Sequence, residues 1–165
     1  MIDRKNSFAY QSPIGLFSIE YQDSTILKVQ CTKDHSVTQK CTNSFETLVK
    51  TQLDEYFLGK RKDFDLNFEF KDATAFEMLV YKRLALIPFG KTITYGQIAK
   101  DISNPKAYRA VATACRKNPI LIFIPCHRVI LASGDIGQYI LGKESKRQLL
   151  NLESSNIFSN NSYNP

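Results

Sequence analysis

The chain has 165 residues, 43% of them apolar and 12% aromatic, so it can fill a hydrophobic core and is not disordered as a whole. No apolar run approaches the roughly 20 residues that a membrane-spanning helix requires, and the mixed, polar N-terminus is unlike a secretory signal. The four cysteines lie far apart without a CxxC pair, which is typical of free thiols in a reducing compartment. We therefore expect a soluble intracellular protein with no membrane partner.

The net charge of +6 is unevenly distributed along the chain. Residues 1–70 carry nine Lys and Arg against ten Asp and Glu, whereas residues 71–165 carry thirteen against six. A basic half indicates an anionic partner, usually nucleic acid, although many basic surfaces are only solvated.

The first 70 residues predict a small unit of antiparallel sheet and one helix. Residues 16–21 and 26–29 alternate as the two strands of a hairpin. Asn43 and Glu46 have the spacing of a capping box, and helical periodicity follows as far as Gly59. Residues 64–70 alternate phenylalanine or leucine with polar residues, which predicts a further strand.

From Thr74 onward the pattern becomes helical. Thr74 and Glu77 form a second capping box, and two short helices, 95–102 and 106–117, have the size of a helix-turn-helix. A last helix is predicted over 144–153. We expect an α+β fold in which the N-terminal unit, 1–70, packs on a mainly helical domain, 71–154, followed by a frayed tail over 155–165.

The helix over 106–117 has two faces. Tyr108, Val111, Ala112 and Cys115 have the spacing of an inward face, while the other side is basic and interleaved with alanines: Arg109, Ala110, Thr113, Arg116 and Lys117. Small side chains let a helix approach a surface closely and arginines supply charge, as a groove-binding helix requires. An ordinary amphipathic helix with a solvated basic face is the alternative.

Cys126 next to His127 is the sharpest chemical feature. A free thiol is mostly protonated at neutral pH, and a histidine within reach can take its proton, with a carboxylate behind it to fix the imidazole tautomer. Pro125 argues against a continuing strand, so both side chains can face one site. The alternative is a buried structural cysteine.

The sequence gives little support for a cofactor. Cys31, His35 and Cys41 are three possible zinc ligands, but a structural site takes four and no fourth lies nearby. No glycine-rich phosphate loop is present. We expect no metal and no cofactor.

A series of short segments carries a family resemblance. Residues 124–129 read Ile-Pro-Cys-His-Arg-Val; Arg109-Ala110-Val111 and Asn118-Pro119 precede them, as do residues 87–92 and 95–99, and Gly137-Gln138-Tyr139 follows. In this order and spacing they closely resemble the O6-alkylguanine-DNA alkyltransferase (methylated-DNA–protein-cysteine methyltransferase) family. The resemblance is strong over 74–153 and covers the first 70 residues in outline, through Ser12-Pro13-Ile14-Gly15.

The resemblance implies direct repair of DNA. The family flips the damaged guanine out of the duplex and moves its alkyl group irreversibly onto a cysteine, so that each molecule acts once. By position, Cys126 is the nucleophile, His127 its base through a water, and Glu153 the carboxylate that orients the histidine. Tyr95 donates to guanine N3, and Asn118 ties the recognition helix to the active-site segment.

The resemblance also implies how DNA is bound. The helix over 106–117 would lie in the minor groove, where Ala110 permits close approach and Arg109 replaces the flipped base in the stack. Backbone carbonyls near Cys126 and Val129 would read the guanine amino group, and Tyr139 would wall the pocket. Ile140 stands where some members have serine, so only its backbone N–H could meet O6. Tyr108 is larger than usual beside the arginine, and either packs inward or touches DNA.

The expected partner is therefore double-stranded DNA containing O6-alkylguanine, bound by a monomer. The expected location is the cytoplasm, at the nucleoid in a bacterium or archaeon, or the nucleus in a eukaryote. Two alternatives remain from the residues alone. One is a helix-turn-helix protein that recognises lesions without alkyl transfer, and the other is a cysteine hydrolase.

Overall fold

The structure is a computed structural model that describes residues 5–159. The chain divides into two compact units, of which the first extends to Lys71 and also takes in Pro119–Leu121, while the second contains the remainder from Asp72 onward. None of the helices within 5–159 is long and apolar enough to cross a membrane.

The first unit is a four-stranded sheet with one helix. Its strands pair in the order β1-β2-β3-β4, and the elements are β1 (Asn6–Ser12), β2 (Gly15–Gln22), β3 (Thr25–Cys31), α1 (Ser44–Phe57) and β4 (Asn67–Phe68). The β2–β3 hairpin predicted from the alternation is confirmed. Its turn consists of Asp23 and Ser24, both at positive φ (47° and 63°), the backbone that a two-residue hairpin turn favours.

The sheet differs from the predicted one in two respects. β1 pairs antiparallel with β2 and was not predicted, because its run Phe8-Ala9-Tyr10 is buried throughout instead of alternating. The strand predicted over 64–70 is present but shorter, since only Asn67 and Phe68 pair, and they pair parallel to β3, so that the sheet is mixed and not wholly antiparallel. Sequence alternation reports which side chains are buried, but it does not report strand direction.

Helix α1 begins and ends near the residues that the sequence indicates. The Asn43 side chain accepts a hydrogen bond from the Glu46 backbone N–H at 2.9 Å, which caps the helix. Val49, Leu53 and Tyr56 bury one face, and Gly59 follows at φ 71°. The helix prediction is therefore confirmed.

The second unit is mainly helical. It contains α2 (Ala75–Ala85), β5 (Ile93–Thr94), α3 (Tyr95–Asp101), α4 (Tyr108–Arg116), a 3-10 helix (Cys126–Arg128), β6 (Val129–Ile130) and α5 (Lys143–Ser159). The capping box of α2 is present as predicted, with both reciprocal bonds between Thr74 and Glu77. The consecutive short helices α3 and α4 are the predicted helix-turn-helix pair, and the α+β fold class is confirmed.

Two details of the helices correct the sequence analysis. The inward face of α4 consists of Val111, Ala114 and Cys115, whereas Tyr108 is 47% exposed and so does not pack inward. Helix α5 extends to Ser159, beyond the predicted end at Glu153, since neither glycine nor proline interrupts it. The predicted frayed tail therefore begins inside α5, and residues 160–165 lie outside the described part of the chain.

Candidate active site

The local backbone turns Cys126 and His127 into the protein interior. The apolar run 120–124 does not form a strand of its own, and Ile122 adopts a positive φ of 71° within it. After Pro125 the chain makes one turn of 3-10 helix over Cys126–Arg128, where the Arg128 N–H donates to the Pro125 carbonyl at 3.0 Å. Because consecutive residues of such a turn do not alternate between two faces, neighbouring side chains can serve one site.

Asn118 connects the end of α4 to the cysteine. Its amide Nδ2 donates to the Cys126 Sγ at 3.2 Å and to the Ile124 carbonyl at 2.8 Å. Cys126 is only 4% exposed. Burial raises the pKa of its thiol, while the Asn118 hydrogen bond and the positive charge of Lys146 oppose that rise. The resting group is therefore a thiol held in a defined position.

His127 and Glu153 form a fully buried pair. The His127 Nε2 lies 2.8 Å from the Glu153 Oε1, with the two residues 0% and 1% exposed. Burial alone would raise the pKa of Glu153, but hydrogen bonds from His127 and Arg128 hold it well below its usual range. Burial lowers the pKa of His127 despite the carboxylate. The site therefore favours neutral imidazole beside an ionised carboxylate.

The charges of this pair fix the histidine tautomer. An ionised carboxylate can only accept hydrogen bonds, so the His127 Nε2 must carry the proton that Glu153 accepts. In a neutral ring Nδ1 is then the basic nitrogen. This is the arrangement that a general base next to a thiol requires.

Arg128 is a site residue that the sequence analysis missed. Its Nε and Nη2 donate to the two Glu153 oxygens at 2.9 Å and 3.0 Å, and its Nη1 donates to the Ile87 carbonyl at 2.5 Å. The Gly90 N–H is a further donor to Glu153, at 3.1 Å. Arg128 stands within residues 124–129, the segment that carries the family resemblance, and its place directly after His127 was the available signal.

Lys146 is the second missed residue. It is 0% exposed, and its Nζ donates to the Val129 carbonyl at 2.5 Å and to the Gln138 carbonyl at 3.3 Å. The sequence does carry a signal for it. Leu149 lies three residues after Lys146, and Glu153 lies seven residues after it. This is helical spacing, so all three share the buried face of α5.

The predicted pocket residues differ in burial and in their contacts with the site. Tyr95 is the first residue of α3 and directly follows β5. Because β5 pairs with β6, the strand that directly follows the cysteine turn, Tyr95 lies close to that turn in the fold. Burial raises the pKa of Tyr95 to about 12, with smaller contributions from Cys115 and Cys126. The Tyr139 ring packs edge-on against His127, with the ring centroids 6.4 Å apart. Ile140 is exposed.

The predicted DNA-binding residues form a separate group on the outer face of α4. This face is exposed and consists of Tyr108, Arg109, Ala110, Thr113 and Arg116. The Arg109 guanidinium lies over the Tyr108 ring, 5.6 Å from its centroid, and an Arg116 Nη2 donates to the Thr113 Oγ1 at 3.1 Å. These residues are exposed, whereas the cysteine is buried. Asn118, two residues beyond the end of α4, provides the link.

Metal ligands are not assembled in the described structure. Among residues 5–159, no three His, Cys, Asp or Glu side chains are grouped so that they could hold a metal ion. The second unit therefore presents a buried thiol, a base and a carboxylate, next to an exposed basic helix.

Both halves of the chain match known families. Residues 9–70 match the ribonuclease-like domain of 6-O-methylguanine DNA methyltransferase, and residues 75–155 match the DNA binding domain of the same enzyme. The methylated-DNA–protein-cysteine methyltransferase of Metallosphaera sedula is 40% identical over 148 residues, which are 90% of this chain and 92% of that protein. The enzyme of the same name from Methanosarcina mazei is 50% identical over 109 residues, covering 66% of this chain and 68% of its own.

Solved structures agree with the sequence relatives. The crystal structure of Mycobacterium tuberculosis O6-methylguanine methyltransferase superposes with a TM-score of 0.82 at 36% identity, covering 93% of this chain and 94% of its own. A structure of M. tuberculosis OGT in complex with DNA gives a TM-score of 0.82 at 37% identity, with 91% and 93% covered. The resemblance inferred from the motifs is confirmed: the chain belongs to the methylated-DNA–protein-cysteine methyltransferase family.

Proposed function

We propose that this protein repairs DNA by transferring the alkyl group of O6-alkylguanine from duplex DNA to Cys126, once and irreversibly. The observation that carries the proposal is the buried assembly of Asn118, Cys126, His127 and Glu153 behind an exposed basic helix. A thiol, a base of fixed tautomer and a carboxylate are the groups that nucleophilic transfer to sulfur requires. The family membership supports the same chemistry.

The lesion must leave the duplex to reach a buried thiol. We propose that α4 enters the minor groove with its alanine-containing face and that Arg109 fills the space the extruded base leaves. The Val129 and Cys126 carbonyls would then accept from the guanine amino group, with Tyr139 as one wall of the pocket. Thr113 and Arg116 would contact the DNA backbone.

The transfer itself is a displacement at the alkyl carbon. The Cys126 proton passes to the His127 Nδ1 through a water, and the sulfur forms a bond to the alkyl carbon while the carbon–O6 bond breaks. The electron pair of that bond remains on the guanine, where a proton or hydrogen bond from Tyr95 to N3 stabilises the leaving group. The product is a thioether with no leaving group for water to displace, so one chain performs one turnover. One chain supplies every proposed residue, consistent with a monomer.

The test is intact-protein mass spectrometry after mixing with duplex DNA that contains O6-methylguanine. We expect a gain of one methyl in place of one hydrogen, mapped to Cys126 and absent in Cys126→Ala. Cys31→Ala, which changes an exposed cysteine, is the matched control and should gain the methyl normally. Lesion binding without any mass gain would instead indicate a recognition protein, and methyl on another cysteine would also contradict the proposal.

A further inference from the structure

The ammonium of Lys146 joins two segments of the candidate site. One is β6, which directly follows the cysteine turn, and the other is the loop that carries Tyr139. Lys146 reaches both from α5 through the Val129 and Gln138 carbonyls, and its side chain is entirely buried. Burying a lysine is unfavourable unless its charge and its three N–H donors are satisfied, so a lysine in this position indicates a specific role.

The electrostatic surroundings of Lys146 differ from those of Arg128, which is also buried. Arg128 is neutralised by direct bonds to Glu153. No carboxylate in the described structure makes an ion pair with Lys146, whose hydrogen bonds go to neutral carbonyls. A buried positive charge of this kind stabilises any negative charge that appears near it, because the interior screens charges less than water does.

The anion that can appear near Lys146 is the thiolate of Cys126. Burial raises the pKa of Cys126, and the positive charge of Lys146 lowers it. Reciprocally, burial lowers the pKa of Lys146, and negative charge on Cys126 raises it. The other ionisable groups that face one or both of these residues are Cys115, Asp135, His127, Tyr81, Tyr95 and Tyr139. Glu153 lies behind His127, where Arg128 already neutralises it.

We propose that Lys146 is a positioning residue for alkyl transfer, which holds the Val129 and Gln138 carbonyls together and supplies the positive charge that stabilises Cys126 as a thiolate. The inference rests on the proposed function of Cys126. Lys146 keeps its own protons throughout, and the thiol proton still leaves toward His127. The lysine changes how readily that proton leaves.

The experiment measures the pH dependence of Cys126 alkylation by iodoacetamide, a small neutral reagent that needs no DNA. Peptide mass spectrometry separates Cys126 from the exposed Cys31 and from Cys41. In Lys146→Met and Lys146→Gln we expect the pH midpoint to rise by about one unit and the labelling rate at pH 7.4 to fall up to about tenfold. Lys146→Gln retains a donor without charge, so it separates the charge from the hydrogen bonds.

Two variants control for other effects. Arg147→Met removes the adjacent positive charge on the exposed side of α5 and should leave the midpoint unchanged, because solvent screens that charge. Lys146→Arg restores the charge and should return the midpoint toward that of the wild type. A midpoint that stays at the wild-type value in folded Lys146→Met and Lys146→Gln would overturn the proposal, since a purely structural lysine would not move it.

A second measurement leaves the lysine in place, in case its variants do not fold. Lysine side-chain NMR can follow the titration of Lys146 in the wild type and in Cys126→Ser. By reciprocity we expect the pKa of Lys146 to be lower in Cys126→Ser by about one unit, because the anion is lost. Equal values would contradict the coupling. Failure of methyl transfer from lesion DNA with this coupling intact would instead count against the proposed function alone.

Discussion

At the scale of single residues, Glu153 accepts hydrogen bonds from three different residues of the candidate site. Its two oxygens accept from His127, from two nitrogens of Arg128 and from the Gly90 backbone N–H. The carboxylate thus fixes the imidazole tautomer and neutralises a buried guanidinium at the same time. Removing its charge affects chemistry and stability together.

Glu153→Gln tests this double role. The substitution leaves Arg128 buried without a counter-charge, so we expect the free energy of unfolding to fall by about 3 to 5 kcal/mol, together with slower methyl transfer. Urea unfolding and single-turnover kinetics measure the two effects. The matched control is Glu144→Gln on the exposed side of α5, which breaks an ion pair with Arg147 and should cost less than about 1 kcal/mol. Equal losses in both variants would contradict the assigned role of Glu153.

Arg109 and Tyr108 are the residues on which the DNA-bound state depends most in our proposal. The guanidinium rests on the exposed tyrosine ring in the free protein, so this contact must open or rotate if Arg109 enters the base stack. A side chain that replaces a base makes little contact with phosphates. Loss of the Arg109 side chain therefore should not change the number of counterions released when DNA binds.

Arg109→Ala should consequently reduce the rate of methyl transfer far more than it reduces the salt dependence of DNA affinity. Arg116→Ala, on the same helix face, should lower the slope of log affinity against log salt by about 0.9 if Arg116 contacts one phosphate. Titrations at several salt concentrations, with transfer rates measured in parallel, distinguish the two arginines. A slope that collapses in Arg109→Ala would rule out the intercalating role.

At the scale of elements, side chains close together in the sequence fix where α2 begins. The Thr74 side chain accepts from the Glu77 N–H, while the Glu77 carboxylate accepts from the Thr74 N–H at 3.0 Å. Glu77 also pairs with Lys117 just beyond α4. The start of α2 is therefore held both by its own cap and by an ion pair to the residue that follows α4.

Thr74→Ala removes the cap, and we expect it to lower the free energy of unfolding by about 1 kcal/mol. Thr51→Ala is the comparison variant, because Thr51 is an exposed threonine in the interior of α1, where alanine is the better helix former. That change should be neutral or slightly stabilising. Denaturant unfolding of both variants tests the prediction, and a neutral Thr74→Ala would show that the box contributes nothing.

The elements also explain how far the sequence could be interpreted without a structure. Caps and hairpin turns were predictable because they depend on residues three or four positions apart. β1 and the direction of β4 were not, since strand pairing depends on distant segments. Of the two placements that the sequence left open for Tyr108, the inward one is wrong: an aromatic residue at helical spacing usually packs inward, but this ring is exposed beside Arg109.

In the candidate site, too, some residues were predictable from the sequence and others were not. The motif that contains Cys126 and His127, together with the distance from it to Glu153, predicted all three residues through the family resemblance. Arg128 and Lys146 were not predicted as site residues because a lysine or arginine in a basic chain is ordinarily on the surface. Only the tertiary fold shows that both are buried.

At the scale of the whole molecule, the buried histidine links stability to pH. The folded protein holds the pKa of His127 below its ordinary value, so the folded state resists a proton that the unfolded state accepts. The stabilisation is complete above the ordinary pKa of about 6.5 and is lost as the pH falls below it. The lowered pKa of Glu153 adds a further loss in more acidic solution.

We therefore expect the free energy of unfolding to fall as the pH is lowered below about 6.5, by at most about 1.4 kcal/mol per pH unit. Urea unfolding at a series of pH values measures this slope. His127→Gln should flatten this slope. The control is His35→Gln, which changes the other histidine of the chain at an exposed position and should leave the slope unchanged. A slope that persists in His127→Gln would assign the loss to other groups.

The position of Glu153 along the chain has a consequence for protein synthesis. The carboxylate lies 26 positions after the histidine that it holds, and it reaches the site from α5. A nascent chain that has already exposed its cysteine therefore lacks the group that sets the imidazole tautomer until α5 has left the ribosome and docked. Incomplete chains should therefore carry an unactivated thiol, and under the proposed single transfer to Cys126 a molecule would not be consumed before it has folded.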